Sequence, residues 1–521
     1  MKNKSKENTI EKISDRLNKI YGDKINQHVK NKILDLIEEK EPAKDKKGEK
    51  WNEKDIILIT YGDSIMVKNS STPLQTLNTF LHKYLAEFIN RVHILPFFPY
   101  SSDYGFSVKN YNKVNPDLGT WDDIDAIGQD FELMFDLVIN HVSVSHKWFQ
   151  NFLKGKDPGK DFFIVKDKNA ELSEVVRPRN SPLLTPFDTD NGKKYVWTTF
   201  SDDQADLDFS NPHVLYEMLQ ILRKYLKQGA GMIRLDAIAY LWKKEDTPCI
   251  HLPETHEIVK LLRDFAEYFN PEVIIITETN VPHKENISYF GKGDEAHMVY
   301  QFPLPPLLLY SLNTGNTRLL SQWAKSLDTT PKDTAFFNFT ASHDGVGVRP
   351  LEGILSADEI AALTEDMKKA GGMVGTKKNE DGSESPYEIN ISYFDSMSRT
   401  REGEDAYQVE RFICSQAVML AFKGIPAFYI HSLTATHNDV EKAKKTGIKR
   451  DINRKHWNFD ELDRILSEQN VHARVFRELQ RISSIRSSFS AFHPDAGQHV
   501  IGSPDDGLFV FMRSGENEDI T

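Results

Sequence analysis

The chain is poor in cysteine and in long apolar runs. Only two cysteines, Cys249 and Cys414, occur among 521 residues, which favours a reduced protein without disulfide bonds. No run reaches the roughly 18 apolar residues that a membrane-spanning helix needs. The polar N-terminus MKNKSKENTIEKISDRL lacks the apolar core of a signal peptide. These absences predict a soluble cytoplasmic protein with no membrane partner.

An excess of positive charge is lacking as well. The sequence contains 65 lysine and arginine residues against 77 aspartate and glutamate residues, which gives a net charge of −12. Such a balance argues against nucleic acid or an anionic membrane as the main partner. It carries no information about a small-molecule substrate.

Residues 1–50 are predicted to form a helical N-terminal extension. In INQHVKNKILDLIEEKE, the apolar residues Ile25, Val29, Ile33 and Ile37 recur every four positions, which predicts a helix with one apolar face. The following EPAKDKKGEK is typical of a solvated linker. We expect the extension to pack against the main domain.

Eight short apolar runs follow the extension. They are DIILITYGDS, RVHILPFF, LMFDLVINH, GMIRLDAIAY, EVIIITETN, HMVYQFPLP, AFFNFTASHD and GIPAFYIHS. Continuous apolar runs suit parallel strands buried on both faces. Several precede amphipathic helical stretches, such as TPLQTLNTFLHKYLAEF, NPHVLYEMLQILRKYLKQ and ETHEIVKLLRDFAEYF. The sequence therefore predicts an α/β fold of the (β/α)8 barrel type. An open doubly wound sheet is the alternative, but no glycine-rich phosphate fingerprint follows any of these runs.

The predicted barrel occupies residues 51–484 and carries two long inserts, at about 145–210 and 350–410. Long inserts after barrel strands are usually functional, because these loops line the active site. Residues 485–521 contain the strand-like GLFVFMRS and are predicted to begin a C-terminal β domain.

Polar side chains fall at the C-terminal ends of the predicted strands. They are Asp63, Asp103, Asp136, Asn140, His141, Arg234, Asp236, Glu278, His343 and Asp344. In a barrel these ends converge on one face, where catalytic groups lie. Arg234 and Asp236 are two residues apart on one strand, so they point to the same side. They are expected to pair, since either charge buried alone would be costly.

The carboxylates after the fourth, fifth and seventh runs suggest glycosyl transfer. One carboxylate would attack the anomeric carbon, a second would protonate the leaving oxygen, and a third would stabilise the positive transition state. Metal binding is an alternative, because carboxylates with Asn140 and His141 could hold Ca²⁺ or Zn²⁺. The sequence contains neither an H-E-x-x-H pattern nor an EF-hand loop, and we predict no metal. A purely structural role, as helix caps and ion pairs, is the remaining alternative.

Four of these stretches, FDLVINH, GMIRLDAIAY, IIITETN and NFTASHD, resemble in order the four short regions of glycoside hydrolase family 13, the α-amylase superfamily. LPPLLLYSLNTG, HDGVGV and KRDINR are similar to its sucrose phosphorylase subfamily. The resemblance covers roughly residues 52–515. It implies a TIM barrel with B and B′ subdomains in the two inserts and a truncated C-terminal β domain.

The resemblance implies a role for each matching residue. Asp236 would be the nucleophile that forms a β-glucosyl ester, Glu278 the general acid/base and Asp344 the transition-state stabiliser. Contacts to the glucosyl ring would come from Asp103, Phe106, His141, Arg234, Tyr240, His343 and Arg450. The phosphate and acceptor side would comprise Arg179, Phe200, Gln204, Asn280, Tyr387 and Glu388.

The implied reaction is the transfer of a glucosyl unit, with retention, to inorganic phosphate, giving α-glucose 1-phosphate. Phosphate would be the co-substrate and no cofactor would be needed. The partners would be a small glucoside and phosphate, and the protein would be a monomer or a homodimer.

Two departures from the subfamily pattern lie on the acceptor side. Thr279 and Asn280 stand where sucrose phosphorylases usually have a Val-His pair, and Glu388 stands in place of a Gln. IRLDAIAYLWK, ETNVPH and PYEINISYFD are most similar to members that act on glucosylglycerate. Phosphorylases of sucrose, sucrose 6′-phosphate or glucosylglycerol are the alternatives.

Two other classes of function are alternatives to a phosphorylase. An α-glucosidase or transglucosidase of the same fold would form product without phosphate. A non-enzymatic barrel is the other, and the presence of all three carboxylates, Asp236, Glu278 and Asp344, argues against it.

Overall fold

A computed structural model describes residues 2–22, 25–38, 49–67, 71–327, 330–378, 383–516 and 518–521. The chain divides into two compact units. Unit 1 comprises Met1–Lys50, Ile94–Thr279 and Tyr289–Met298, and unit 2 comprises Trp51–His93, Asn280–Ser288 and Val299–Thr521. Among the described residues, no helix combines the length and the apolar character needed to cross a membrane.

The eight predicted runs form the strands of one closed barrel. In chain order they are β1 (Ile57–Thr60), β2 (Arg91–Ile94), β3 (Glu132–Val138), β4 (Ala230–Asp236), β5 (Ile274–Thr277), β6 (Met298–Tyr300), β7 (Ala335–Phe339) and β8 (Ile425–Tyr429). Each strand lies beside its neighbours in the sequence, and β8 lies beside β1. The predicted barrel is confirmed, and the doubly wound alternative is wrong because an open sheet would leave two unpaired edges.

Strand register places the charged residues of unit 1 side by side. β4 runs parallel to both β3 and β5, with Arg234 opposite Asp136 on one side and Ile276 on the other. Every residue of β4 is buried, as expected for a strand covered on both faces. Arg234 and Asp236 therefore belong to a buried strand, which requires that each has a partner.

Unit 1 also contains the N-terminal extension and the first insert. Its helices span Lys2–Tyr21, Gln27–Glu38, Trp121–Ile127, Lys147–Leu153, Pro212–Lys227 and Pro253–Phe269. Outside the barrel, its short strands are His141–Ser143, Val165–Lys166, Leu184–Thr189, Gly192–Trp197 and Gln204–Asp206.

The N-terminal extension is helical, as predicted. We label its two helices α1 (Lys2–Tyr21) and α2 (Gln27–Glu38). Val29, Ile33 and Ile37 of α2 are buried, whereas Ile25 precedes the helix. Most of the predicted linker, residues 41–48, lies outside the described residues.

Unit 2 contains the second insert and the C-terminal segment. Its helices span Pro73–Phe80, His283–Ile287, Leu304–Thr314, Arg318–Lys325, Ala357–Lys369, Gln408–Ala421, Ile430–Leu433, Val440–Thr446, Phe459–Ser467 and Val471–Arg486. Its strands outside the barrel are Ile65–Met66, Val346–Gly347, Met373–Lys378, Glu384–Asn390, Arg399–Thr400, Gly403–Glu404, Trp457–Asn458, Gly497–Ile501, Val510–Ser514 and Asp519–Ile520.

The second insert and the C-terminal segment each contribute strands to a small β-sheet. Two strands of the second insert, Met373–Lys378 and Glu384–Asn390, form a three-stranded sheet with Val346–Gly347, which precedes the insert. Residues 379–382, between the two strands of the insert, lie outside the described residues. The strand-like GLFVFMRS contributes Val510–Ser514 to a second three-stranded sheet. The boundaries at residues 51, 484 and 485 stay predictions.

Candidate active site

Arg234 is the centre of a charged cluster in unit 1. Its Nη1 atom lies 2.5 Å from Asp136 Oδ1 and 2.8 Å from Asp236 Oδ1, and its Nη2 atom lies 3.7 Å from Glu278 Oε2. The side chains of Arg234 and Asp136 are 3% and 0% exposed, and the guanidinium lies over the ring of Phe106 at 5.6 Å. The two charges noted within β4 thus pair with each other, and the buried Arg234 also contacts the carboxylates of Asp136 and Glu278.

Glu278 is held by the turn that follows Asp236. It comes directly after β5, and its amide donates to the Leu235 carbonyl at 3.1 Å. Its Oε2 atom accepts a hydrogen bond from the Ala237 amide at 3.1 Å. Ala237 has a φ of +49°, a left-handed conformation that is uncommon for a residue other than glycine. This sharp turn aims the Ala237 amide at Glu278 and fixes both carboxylates relative to β4.

His141 lies with two predicted sugar-binding residues, Asp103 and Phe106, and with the predicted acceptor residue Gln204. Its Nε2 atom is 3.0 Å from the Phe106 carbonyl, and its Nδ1 atom is 3.2 Å from the side-chain amide nitrogen of Asn140. Gln204 Nε2 donates to the Phe106 carbonyl at 3.2 Å and to Asp103 Oδ2 at 3.4 Å. Burial lowers the pKa of His141, so the ring is neutral, with Nε2–H donating to Phe106 and Nδ1 accepting from Asn140.

The remaining predicted residues of unit 1 are Phe200, Tyr240 and Arg179. The ring of Phe200 lies 5.3 Å from that of His141 and 5.6 Å from that of Tyr240. Arg179 is half-buried in the loop before Ser181, and the Ser181 hydroxyl donates to the Phe200 carbonyl at 3.1 Å. A hydrogen bond therefore joins the loop that carries Arg179 to Phe200, whose ring contacts those of His141 and Tyr240.

Sequence reasoning missed a buried ion pair beneath this group. Lys243 Nζ lies 2.6 Å from Asp206 Oδ2 and 2.7 Å from Asn140 Oδ1, and the Lys243 side chain is 4% exposed. Asp206 also accepts hydrogen bonds from the amide and hydroxyl of Thr199 at 2.9 and 2.6 Å. The strands His141–Ser143 and Gln204–Asp206 pair with His141 opposite Asp206. The only sign in the sequence is the polar and apolar alternation of QADLD, which is typical of a short strand.

In unit 2, Arg450 bridges two carboxylates. Its Nη1 atom lies 2.5 Å from Asp344 Oδ1, and its Nε atom lies 3.1 and 3.2 Å from the two carboxylate oxygens of Glu388. Glu388 is buried and also accepts from the Gly345 amide at 2.6 Å. His343 Nε2 lies 3.5 Å from Asp344 Oδ2. The residues predicted for stabilisation, glucose binding and acceptor binding in this unit are therefore in contact.

The glycines of HDGVGV make room for the predicted acceptor residues. A Cβ atom on Gly347 would lie 2.7 Å from the side-chain nitrogen of Asn280, and one on Gly345 would lie 2.6 Å from Glu388 Cγ. The Tyr387 carbonyl accepts from the Val348 amide at 3.1 Å. The motif thus allows Asn280 and Glu388 to lie directly against the backbone, and places Tyr387 beside them.

Arg454 is a second residue that sequence reasoning missed. Its Nε atom donates to the His343 carbonyl at 2.8 Å, and its guanidinium lies 5.7 Å from the ring of Tyr61. The Tyr61 ring meets that of His343 edge-on at 5.9 Å. The one indication of Arg454 in the sequence is its position in KRDINR, four residues after Arg450. Among the described residues, no group of three or more His, Cys, Asp or Glu side chains is arranged to hold a metal ion.

Comparisons with known proteins were consistent with this geometry. Residues 81–348 match the family described as the alpha amylase catalytic domain. The chain is 45% identical to a glucosylglycerate phosphorylase from Escherichia coli, over 93% of this chain and 87% of the relative. It is 47% identical to a glucosylglycerate phosphorylase from Spirochaeta thermophila, over 88% and 78% of the two chains.

Among solved structures, the crystal structure of sucrose 6F-phosphate phosphorylase from Thermoanaerobacter thermosaccharolyticum is similar with a TM-score of 0.77 and 25% identity. The match covers 89% of this chain and 93% of that chain. The similarity therefore extends over both units and is not limited to the short motifs.

Proposed function

The chain belongs to the α-amylase family, and from that premise we propose that it is a retaining phosphorylase that acts on glucosylglycerate and inorganic phosphate. The observation that carries the choice of acceptor is the difference in identity between relatives. Two glucosylglycerate phosphorylases share 45% and 47% of their residues with this chain over most of its length. A sucrose 6(F)-phosphate phosphorylase shares 30% in the same kind of sequence comparison.

In the first step, the Asp236 carboxylate attacks the anomeric carbon of the glucosyl unit. The bond from that carbon to the glycerate oxygen breaks, and Glu278 in its acid form gives that oxygen its proton. Glycerate leaves, and the glucosyl unit stays bound to Asp236 as an ester. Arg234, which contacts both carboxylates, supports this assignment because it orients nucleophile and acid from one buried position.

In the second step, a phosphate oxygen attacks the same carbon from the face that glycerate left. The ester bond breaks, Asp236 returns to its carboxylate form, and the incoming HPO₄²⁻ gives its proton to Glu278. Two inversions give retention and yield α-glucose 1-phosphate. Asp344 is assigned the stabilisation of the positive charge that develops on the sugar in both steps.

An anionic acceptor is compatible with Glu388 because this carboxylate is paired within unit 2, where Arg450 and Arg454 together face Glu388 and Asp344. Arg450 contacts both of its oxygens at 3.1 and 3.2 Å, and the Gly345 amide donates to one of them. A paired and buried carboxylate repels the carboxylate of glycerate far less than a free one. We further propose a cytoplasmic location and a monomeric or homodimeric state.

The decisive assay runs the reaction in reverse. The protein is incubated with α-glucose 1-phosphate and either D-glycerate, glycerol, fructose, fructose 6-phosphate or no acceptor, and phosphate release is followed. We expect rapid release with D-glycerate alone. Release with fructose or glycerol alone would replace the proposed acceptor, and equal release in every tube would make the protein a hydrolase.

Arg179 is proposed to bind the phosphate, since a planar guanidinium suits a phosphate dianion. Arg179→Ala should raise the KM for phosphate at least tenfold, which corresponds to the loss of about 1.4 kcal/mol of binding. Slow hydrolysis of the glucosyl ester by water should change less than twofold. Equal losses in phosphorolysis and hydrolysis would contradict this role.

A further inference from the structure

The C-terminal half of helix α1 packs against unit 1. Arg16 lies 3.1 Å from Glu257 and 3.3 Å from Asp264, both on the helix Pro253–Phe269. Ile13 and Leu17 of α1 are fully buried. The extension is therefore an integral layer of the unit, and its last residue is fixed in place.

That last residue is Tyr21. Its hydroxyl donates to the Phe209 carbonyl at 2.9 Å, and its ring lies 6.0 Å from that of Trp242 at an angle of 55°. Tyr21, Phe209 and Trp242 are all buried. One side chain of the extension thus contacts two segments that are 33 residues apart in the sequence.

Both segments lead directly to the candidate active site. Phe209 is three residues after Asp206, and Trp242 stands between Tyr240 and Lys243. Asp206 and Lys243 form the buried ion pair at 2.6 Å, and Lys243 also bonds Asn140 at 2.7 Å. Tyr21 therefore lies behind the contact that joins these two segments.

We propose that Tyr21 is a positioning residue of the active site, through which the N-terminal extension sets the positions of Tyr240 and His141. Tyr21 holds Phe209 and Trp242 at a fixed separation, and this separation keeps Lys243 against Asp206 and Asn140. Asn140 in turn donates to Nδ1 of His141. The role in sugar binding rests on the proposed function, whereas the contacts of Tyr21 do not.

The test uses full-length Tyr21→Leu and Tyr21→Phe with Leu17→Ala as the matched control. Leu17 is on the same helix and is fully buried, so its truncation destabilises α1 while the hydroxyl and ring of Tyr21 are retained. Binding of 1-deoxynojirimycin, a glucose analogue, is measured by calorimetry at a temperature at which all three variants are folded. This readout needs neither phosphate nor turnover.

We expect Tyr21→Leu to weaken binding of the analogue at least tenfold, because small displacements of a site have large effects on its function. Tyr21→Phe, which loses only the hydrogen bond to Phe209, should weaken it about two- to fivefold. Leu17→Ala should bind within twofold of the wild type. In phosphorolysis, the KM for the glucoside should rise more in Tyr21→Leu than kcat falls.

Equal binding by Tyr21→Leu and Leu17→Ala would overturn the proposal, whether both are weakened or both are unchanged. If Tyr21→Leu does not fold, Tyr21→Phe decides alone, and an unchanged Kd overturns it. A wild-type protein that binds the analogue but forms no α-glucose 1-phosphate would refute the proposed function. The binding measurements on the Tyr21 variants would still decide the role of Tyr21.

Discussion

At the scale of single residues, the shape of Arg234 matters as much as its charge. Its two terminal nitrogens contact Asp136, Asp236 and Glu278 together, which the single ammonium of lysine cannot do. Arg234→Lys should therefore lower kcat about 100-fold, since the two reacting carboxylates lose their common anchor. The measurement is steady-state phosphorolysis at saturating substrate. A variant that keeps more than half of the wild-type kcat would contradict the anchoring role.

The pair of Lys243 and Asp206 allows a second prediction about individual residues. Lys243→Met leaves the buried Asp206 carboxylate without its cation, and the free energy of unfolding should fall by about 3–5 kcal/mol. In the double variant Asp206→Asn with Lys243→Met, no charge remains buried, so the loss should be smaller than the sum of the two single losses. Urea denaturation of the four proteins gives the coupling. Additive losses would show that the two side chains are energetically independent.

These two cases differ in what the sequence could predict. Arg234 and Asp236 share a strand, and the alternation of side chains along a strand was sufficient to predict that they face the same way. Lys243 and Asp206 are 37 residues apart, and only the folded chain joins them. Nothing in either local sequence distinguishes Lys243 from the exposed Lys244 next to it.

At the scale of structural elements, Gly347 lets Asn280 approach the backbone of the sheet formed by Val346–Gly347, Met373–Lys378 and Glu384–Asn390. A Cβ atom on Gly347 would lie 2.7 Å from Asn280, whereas one on Gly375 of the same sheet would lie no closer than 3.6 Å to its neighbours. Gly347→Ala should displace Asn280 and raise the KM of the acceptor at least tenfold, an effect about as large as losing one good hydrogen bond to substrate. Gly375→Ala should leave this KM within twofold. The same change in both variants would mean that Asn280 does not contact the acceptor.

The barrel strands follow from the sequence because a buried parallel strand is apolar on both faces. The helices Pro212–Lys227 and Pro253–Phe269 follow from it because a surface helix has one apolar face. The stretch TPLQTLNTFLHKYLAEF, expected to be one helical stretch, is an α-helix over Pro73–Phe80 that continues as a π-helix over Leu81–Leu85. The Ala86 amide bonds the Leu81 carbonyl, five residues back. Such a local change in winding leaves the apolar spacing almost unaltered, so the sequence gives no sign of it.

At the scale of the whole molecule, buried neutral histidines are present in both units. Burial lowers the pKa of His146 and of His297 to about 4 and that of His431 to about 3. In the unfolded chain each imidazole has a pKa of about 6.5. Between these values the unfolded state binds protons that the folded state excludes. Their contribution to stability is therefore complete above pH 6.5 and is lost as the pH falls towards 4 for His146 and His297, and towards 3 for His431.

The resulting acid sensitivity can be assigned to one of these histidines. Each should lower the free energy of unfolding by about 1.4 kcal/mol per pH unit below pH 6. His431→Gln should reduce the pH dependence by that amount between pH 6 and pH 4.5, because one proton fewer is taken up on unfolding. His28→Gln, at an exposed position, is the matched control for the loss of one imidazole. Urea midpoints across this range provide the measurement, and parallel curves for wild type and His431→Gln would show that His431 is already protonated in the folded protein.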